Sequence, residues 1–137
     1  MSGDAPVPKP PPGRLGDVLG FEITEFDDER VVGSFEVTDA VRQPFGIVHG
    51  GAYAAMAESM ASVATYFAVA SDGSIAVGQN NDTSFLRPVS EGTVSATATR
   101  RHRGRTSWIW DVEFSDGAGR PCALARVTIA VRPNPAG

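Results

Sequence analysis

The chain has 137 residues, 42% of them hydrophobic and 20% charged, with a net charge of −4 and one cysteine. That is enough for one domain that buries a single helix against a single sheet. The acidic balance argues against a nucleic-acid partner, which needs a clustered cationic face. The lone Cys122 excludes an internal disulfide and suits a reducing, cytoplasmic compartment.

Residues 1–13, MSGDAPVPKPPPG, carry five prolines and no apolar core of the kind an export signal needs. They are expected to form a disordered or extended tail, followed by one domain at 14–132 and a short tail at 133–137. Residues 21–26 and 30–37 predict two strands joined by Asp27-Asp28-Glu29. In the second, Val31, Gly33, Phe35 and Val37 alternate with Val32, Ser34 and Glu36. A loop broken by Pro44 and Gly46 leads to His49-Gly50-Gly51 and a helix running to about Ala70. Met56, Met60, Val63, Phe67 and Ala70 form one stripe of that helix, with alanines on its other sides, so a sheet can enclose it closely. The run 52–70 is long enough to raise the membrane question. It holds Glu58 and several Ser and Thr, so a buried helix and no membrane partner are expected.

After Ser71-Asp72-Gly73 the period returns to two. Residues 75–79, extending to Leu86, predict one strand, and Val94, Ala96 and Ala98 mark the next. Trp108, Trp110, Val112 and Phe114 share one face of a third, which makes both tryptophans core residues. Ala123, Ala125, Val127, Ile129 and Val131 share one face of a fourth. The turns Arg103-Gly104-Arg105 and 116–119 are short enough for hairpins, so the last four strands read as a meander. The whole is an α+β domain, one long central helix wrapped by an antiparallel sheet of about six strands.

Glu58 is the most informative residue. A carboxylate inside an otherwise apolar helix is paired, solvated by a cleft, or functional, because burying its charge is costly. The pattern around it admits two readings, a narrow solvated stripe with Ser62 one turn on, or a working carboxylate. Gly50 and Gly51 stand where the loop enters the helix, and such a terminus presents unpaired N–H groups. A thioester carbonyl placed on the Gly50 amide would be stabilised as its oxygen becomes negative. Gly50 and Glu58 lie eight residues apart, roughly 12 Å along a helix, whereas reacting atoms must sit about 3 Å apart. If both groups act together, Glu58 must come from a second copy across a twofold axis.

Residues 48–62, VHGGAYAAMAESMAS, resemble the signature of the hotdog-fold thioesterases of the phenylacetate-degradation type. Within these they are most similar to the branch of the 4-hydroxybenzoyl-CoA and 1,4-dihydroxy-2-naphthoyl-CoA thioesterases. The resemblance runs from about Leu15 to Val131 and includes Gln43, six residues before His49. It implies a hotdog fold and hydrolysis of an acyl-CoA without a cofactor or metal. The assembly it implies is at least a homodimer and usually a homotetramer. Gly50 would polarise the thioester carbonyl while His49 and Gln43 orient it. Glu58 of the partner chain would attack the carbonyl or activate water placed by Ser62. Residues 82–88 read Asp-Thr-Ser-Phe-Leu-Arg-Pro where relatives have Asn-x-Asn-aromatic-Leu-Arg-Pro, and part of the branch has His at the Phe85 position. Phe85 therefore bears on the acyl group, which the sequence leaves open between aryl and medium-chain aliphatic.

Arg100, Arg101, Arg103 and Arg105 form the one basic cluster. A solvated hairpin turn explains it, and so does a site for the phosphates of CoA, since guanidinium forks suit phosphate. In the resembled family this hairpin meets the nucleotide end, which makes Arg87, Arg105 and Thr106 candidates for CoA binding. His102 reads as a turn residue and Cys122 as packing. Two other functions remain open. A hotdog hydratase or dehydratase would present His-Phe-Pro or Asp-x4-His, neither of which occurs. A non-catalytic acyl-CoA sensor would not need Glu58.

Overall fold

The computed structural model describes residues 7–136, so residues 1–6 and Gly137 of the two expected tails lie outside it. A short helix, α1 (Leu15–Val18), precedes β1 (Glu22–Phe26) and β2 (Arg30–Glu36). The long helix α2 (Gly50–Val69) is followed by β3 (Ser74–Phe85), β4 (Thr93–Arg103), β5 (Ser107–Ser115) and β6 (Pro121–Pro133). All strands join one antiparallel sheet in the order β1-β2-β4-β5-β6-β3. Among the described residues no helix is long and apolar enough to cross a membrane.

The sheet order corrects the expected four-strand meander. β4, β5 and β6 do form one, but β3 pairs with β6 along its full length and not with β4. Alternation shows which face of a strand is buried and says nothing about its neighbour. The connection from β3 to β4 crosses the sheet, putting β4 beside β2 and leaving β3 as an open edge.

One face of the sheet curls around α2. Val31 and Phe35, the alternate residues of β4 from Val94 to Ala98, and Trp108, Trp110, Val112 and Phe114 are buried, as are Val127 and Ile129. Against them α2 buries Ala52, Met56, Met60 and Ala64 in one row and Tyr53, Ala57, Ala61, Thr65 and Val69 in another. Both rows recur every four residues, slower than the 3.6-residue turn. The buried face therefore slides around the helix as it crosses the twisted sheet. For this reason the expected stripe is buried only in its first half. Phe67 is 55% exposed and packs edge-on against Phe26, with ring centroids 5.5 Å apart; Ala70 is exposed too.

The two tryptophans stack at 6.4 Å beneath the sheet. Trp110 donates its indole N–H to the Thr65 hydroxyl (3.0 Å), which donates to the Ala61 carbonyl (2.8 Å). This satisfies the buried polar atoms of both residues, which would otherwise carry a desolvation cost of about 1–3 kcal/mol each.

Candidate active site

The loop before α2 folds back on itself. Gln43 donates its backbone N–H to Ile47, and His49 donates to Val41 (2.7 Å). His49 is the N-cap of α2, and its Nδ1 accepts the Gly51 N–H at 2.8 Å. An accepting Nδ1 is bare, so the neutral ring carries its proton on Nε2, free to donate outward. Gln43 spends its side-chain oxygen on the Phe45 N–H, which leaves its amide NH2 available. Gly50, the first helical residue, has no acceptor for its N–H among the described residues. The Gly50 N–H and the His49 ring thus stand at the positive end of the helix dipole, with Gln43 in the loop that leads to it.

The Phe85 ring closes over Gly50. A Cβ on Gly50 would meet ring carbons at 2.6–3.0 Å, so glycine is what lets the aromatic ring approach this amide. Phe85 also packs on Tyr53, with ring centroids 6.2 Å apart.

Glu58 lies two turns further on, with its side chain exposed against β3. A Cβ on Gly78 would fall 2.6 Å from the Glu58 Cδ and 2.8 Å from its Oε2. The carboxylate rests, in effect, where a side chain of β3 would be. It has no hydrogen-bond or ion-pair partner among the described residues, so a water or a substrate can reach it.

β3 changes register between Gly78 and Asn80, making Gln79 the extra residue of a bulge. Before the bulge Ala76 and Gly78 face the helix; after it Asn81, Thr83 and Phe85 do. Asn81 donates to the Ala54 carbonyl (2.9 Å) and accepts from Thr83 (2.7 Å). The Ala54 carbonyl is also the helical partner of the Glu58 N–H, so Asn81 ties β3 to the turn that carries Glu58. Neither Gly78 nor Asn81 was singled out from the sequence, although a glycine inside a strand pattern signals a bulge or a close approach.

Glu58, Ser59 and Leu15 line two clefts at once. One, of about 390 Å³, is walled by Pro8–Pro11, Phe21, Ile23, Met56, Met60, Ser62 and Val63. The other runs past Ala54, Ala55, Asn81 and Thr83 to Phe85. Ser62 thus shares the first cleft with Glu58. Among the described residues no group of three or more His, Cys, Asp or Glu side chains is placed to hold a metal ion.

The basic cluster is mostly occupied. Arg100 pairs with Asp28 (3.3 Å), Arg103 with the same carboxylate (2.8 Å), and Arg101 with Asp111 (2.8 Å). Arg100 and Arg103 also lie over the Trp108 ring, 5.3 and 4.7 Å from its centroid. Of the four, only Arg105 has no partner among the described residues, and Arg87 has none either. The two sit at opposite ends of β6. Arg87 follows Leu86, whose N–H bonds to Cys122, whereas Thr106 accepts from Val131. One protomer does not bring Arg87 and Arg105 together, just as it does not bring Gly50 to Glu58.

Cys122 is buried beside Tyr53, and burial pushes its thiol above the usual range, as it does the Tyr53 phenol. Both are packing groups.

The family model of the thioesterase superfamily matches residues 45–123. A variant of thioesterase PA1618 from Pseudomonas aeruginosa is 39% identical, with a TM-score of 0.84 over 88% of this chain and 87% of that one. Thioesterase HI1161 from Haemophilus influenzae superposes with a TM-score of 0.84 at 30% identity, over 90% of this chain and 86% of its own. The proofreading thioesterase EntH of Cronobacter turicensis is 38% identical over 119 residues, 87% of this chain and 86% of that protein. With its six-stranded antiparallel sheet wrapped on one long helix, the chain belongs to the thioesterase superfamily and has the hotdog fold.

Proposed function

We propose that the protein hydrolyses an acyl-CoA, with an aryl or medium-chain acyl group, to the free acid and CoA at a site completed by a second subunit. The observation that carries this reading is the placement of Glu58, an unpaired carboxylate at the junction of two clefts, on a helix whose first amide is also free. In this reading the Gly50 N–H polarises the thioester carbonyl, with His49 Nε2–H and the Gln43 amide orienting the group. Glu58 of the partner subunit then acts on the carbonyl carbon. It either attacks, forming a mixed anhydride and releasing CoA before water cleaves the anhydride, or takes a proton from a water held by Ser62. Both routes need the ionised carboxylate.

The open edge of β3 supports the two-subunit arrangement. Two β3 strands paired antiparallel, with Phe85 opposite Gly78 of the partner subunit, would lay each Gly50 against the other chain's Glu58, because Phe85 covers Gly50 and Gly78 underlies Glu58. The same pairing puts Arg87 opposite the partner's Ala76. Ala76 neighbours Val131, and Val131 bonds to Thr106. Arg87 of one chain and Arg105 and Thr106 of the other would then share one end of the sheet, where the CoA phosphates would bind. Pairing of two such dimers gives the expected homotetramer.

Turnover of acyl-CoAs, followed by release of free thiol, tests the reading. Glu58→Gln keeps the shape and removes the charge, so it should lower kcat by about 10²–10⁴-fold, the range for a lost acid–base group. A variant with near-normal turnover would remove Glu58 from the mechanism, whereas acyl-CoA binding without turnover in the unmodified protein would favour the sensor reading.

A further inference from the structure

Residues 7–13 lie against the domain. Arg14 donates its backbone N–H to Pro11 at 3.1 Å, and Gly13 donates to the Asp17 carboxylate at 2.8 Å. Both bonds fold the segment back onto the start of α1. Pro10 sits so close to Gly16 that a Cβ there would meet its ring at 3.2 Å. Pro8, Pro10 and Pro11 thereby become one wall of the 390 Å³ cleft, facing Met56, Met60 and Val63, with Glu58 at its mouth.

We infer that this cleft is the acyl-binding chamber and that the proline segment is its specificity-determining wall. The inference rests on the thioesterase reading and deepens it. Apart from Glu58, Ser59 and Ser62 on α2, the cleft is closed by proline rings and apolar side chains. Its two cations, Lys9 and Arg14, are both exposed. The chemistry it suits is an uncharged apolar acyl group whose thioester lies at Glu58 and whose body runs under the prolines. At about 30 Å³ per water-sized group, the 390 Å³ cleft holds about thirteen such groups, which is room for a medium-chain acyl group. Proline suits such a wall, because its fixed φ limits the chain entropy lost when the segment packs against α1.

Non-hydrolysable CoA thioethers test this without requiring turnover. In the unmodified protein S-octyl-CoA should bind more tightly than S-ethyl-CoA. Each buried methylene contributes about fourfold, so half-burial of the six extra methylenes gives about sixty-fold. Pro8→Asp/Pro10→Asp, which lines the chamber with charge, should cut that ratio at least tenfold. Gly16→Val, which pushes the Pro10 ring from its seat, should cut it as well. S-benzyl-CoA in parallel separates aryl from aliphatic sources of the same apolar chemistry. An unchanged octyl-to-ethyl ratio in both variants overturns the inference, as does equal binding of the two thioethers to the unmodified protein. The thioesterase reading fails separately, if acyl-CoAs are not hydrolysed, and the role of Glu58 fails if Glu58→Gln retains turnover.

Discussion

Gly78→Ala isolates the contact between β3 and Glu58. The added methyl carbon would stand 2.6 Å from the Glu58 Cδ, against about 3.5–4.0 Å for relaxed carbon contacts. The carboxylate must therefore retreat by about 1 Å. The backbone has no reason to resist, since Gly78 is absent from the positive-φ glycines. Replacing a strand glycine also returns about 0.5–1 kcal/mol of chain entropy. The fold should accordingly keep its Tm within a few degrees. A shift of about 1 Å in a reacting group costs about 10²-fold, or about 2.7 kcal/mol on the barrier. We expect kcat to fall by that factor with KM little changed, in a thiol-release assay on a saturating acyl-CoA. Glu58→Asp supplies the control, because its shorter side chain leaves the space where the methyl group would stand. On that background Gly78→Ala should cost much less, a non-additivity read as a coupling between the two positions. Additive losses, or an unaltered kcat in the single variant, would show that the carboxylate does not work from its place over β3.

The two-subunit site predicts complementation. Glu58→Gln and Gly50→Pro/Phe85→Ala, each inactive, should regain partial activity when subunits exchange; Phe85→Ala makes room for the proline ring, and proline is tolerated at the first helical position. No recovery under demonstrated exchange would place the whole site within one chain. Arg105→Ala should raise KM for acyl-CoA with kcat nearly unchanged, and should not affect an acyl-pantetheine. Equal losses on both substrates would make Arg105 structural. Asp116 is held below the usual carboxylate range by the Arg120 and Ala118 N–H groups and the Arg120 guanidinium. Its lowered value means that it stabilises the fold fully above about pH 4, the unfolded value, and that this is lost as pH falls further. Asp116→Asn should lower Tm at pH 7 and flatten the Tm–pH curve below pH 4; an unchanged acid slope would assign that slope to other groups.

Much of this was legible in the sequence because burial imposes a period. The alternation from Trp108 to Phe114 and from Ala123 to Val131 follows the sheet face found, and the helix begins at Gly50. Glu58 stood out because a carboxylate in an apolar run requires an explanation. What escaped detection depended on partners distant in the chain. The pairing of β3 with β6 leaves no mark on either strand. The bulge at Gln79 exchanges which residues of β3 face the helix, so Asn81 and Phe85 point inward where unbroken alternation would have sent Asp82 and Ser84. The arginines formed a cluster in sequence, yet Asp28, distant in the chain, engages two of them and Asp111, across the β4–β5 hairpin, engages a third.

The stacked tryptophans have an optical consequence. Trp108 and Trp110 supply nearly all the fluorescence near 350 nm, and both are enclosed: Trp108 by two guanidinium groups and its neighbour's ring, Trp110 by its bond to Thr65. Their emission should be blue-shifted in the native state and move red only when the sheet separates from the helix. It is thus a clean reporter of global unfolding and a poor one of occupancy at Gly50 or Glu58, which neither ring touches. A tryptophan in place of Phe85, seated over the amide that would receive the substrate, would give the clefts a signal of their own.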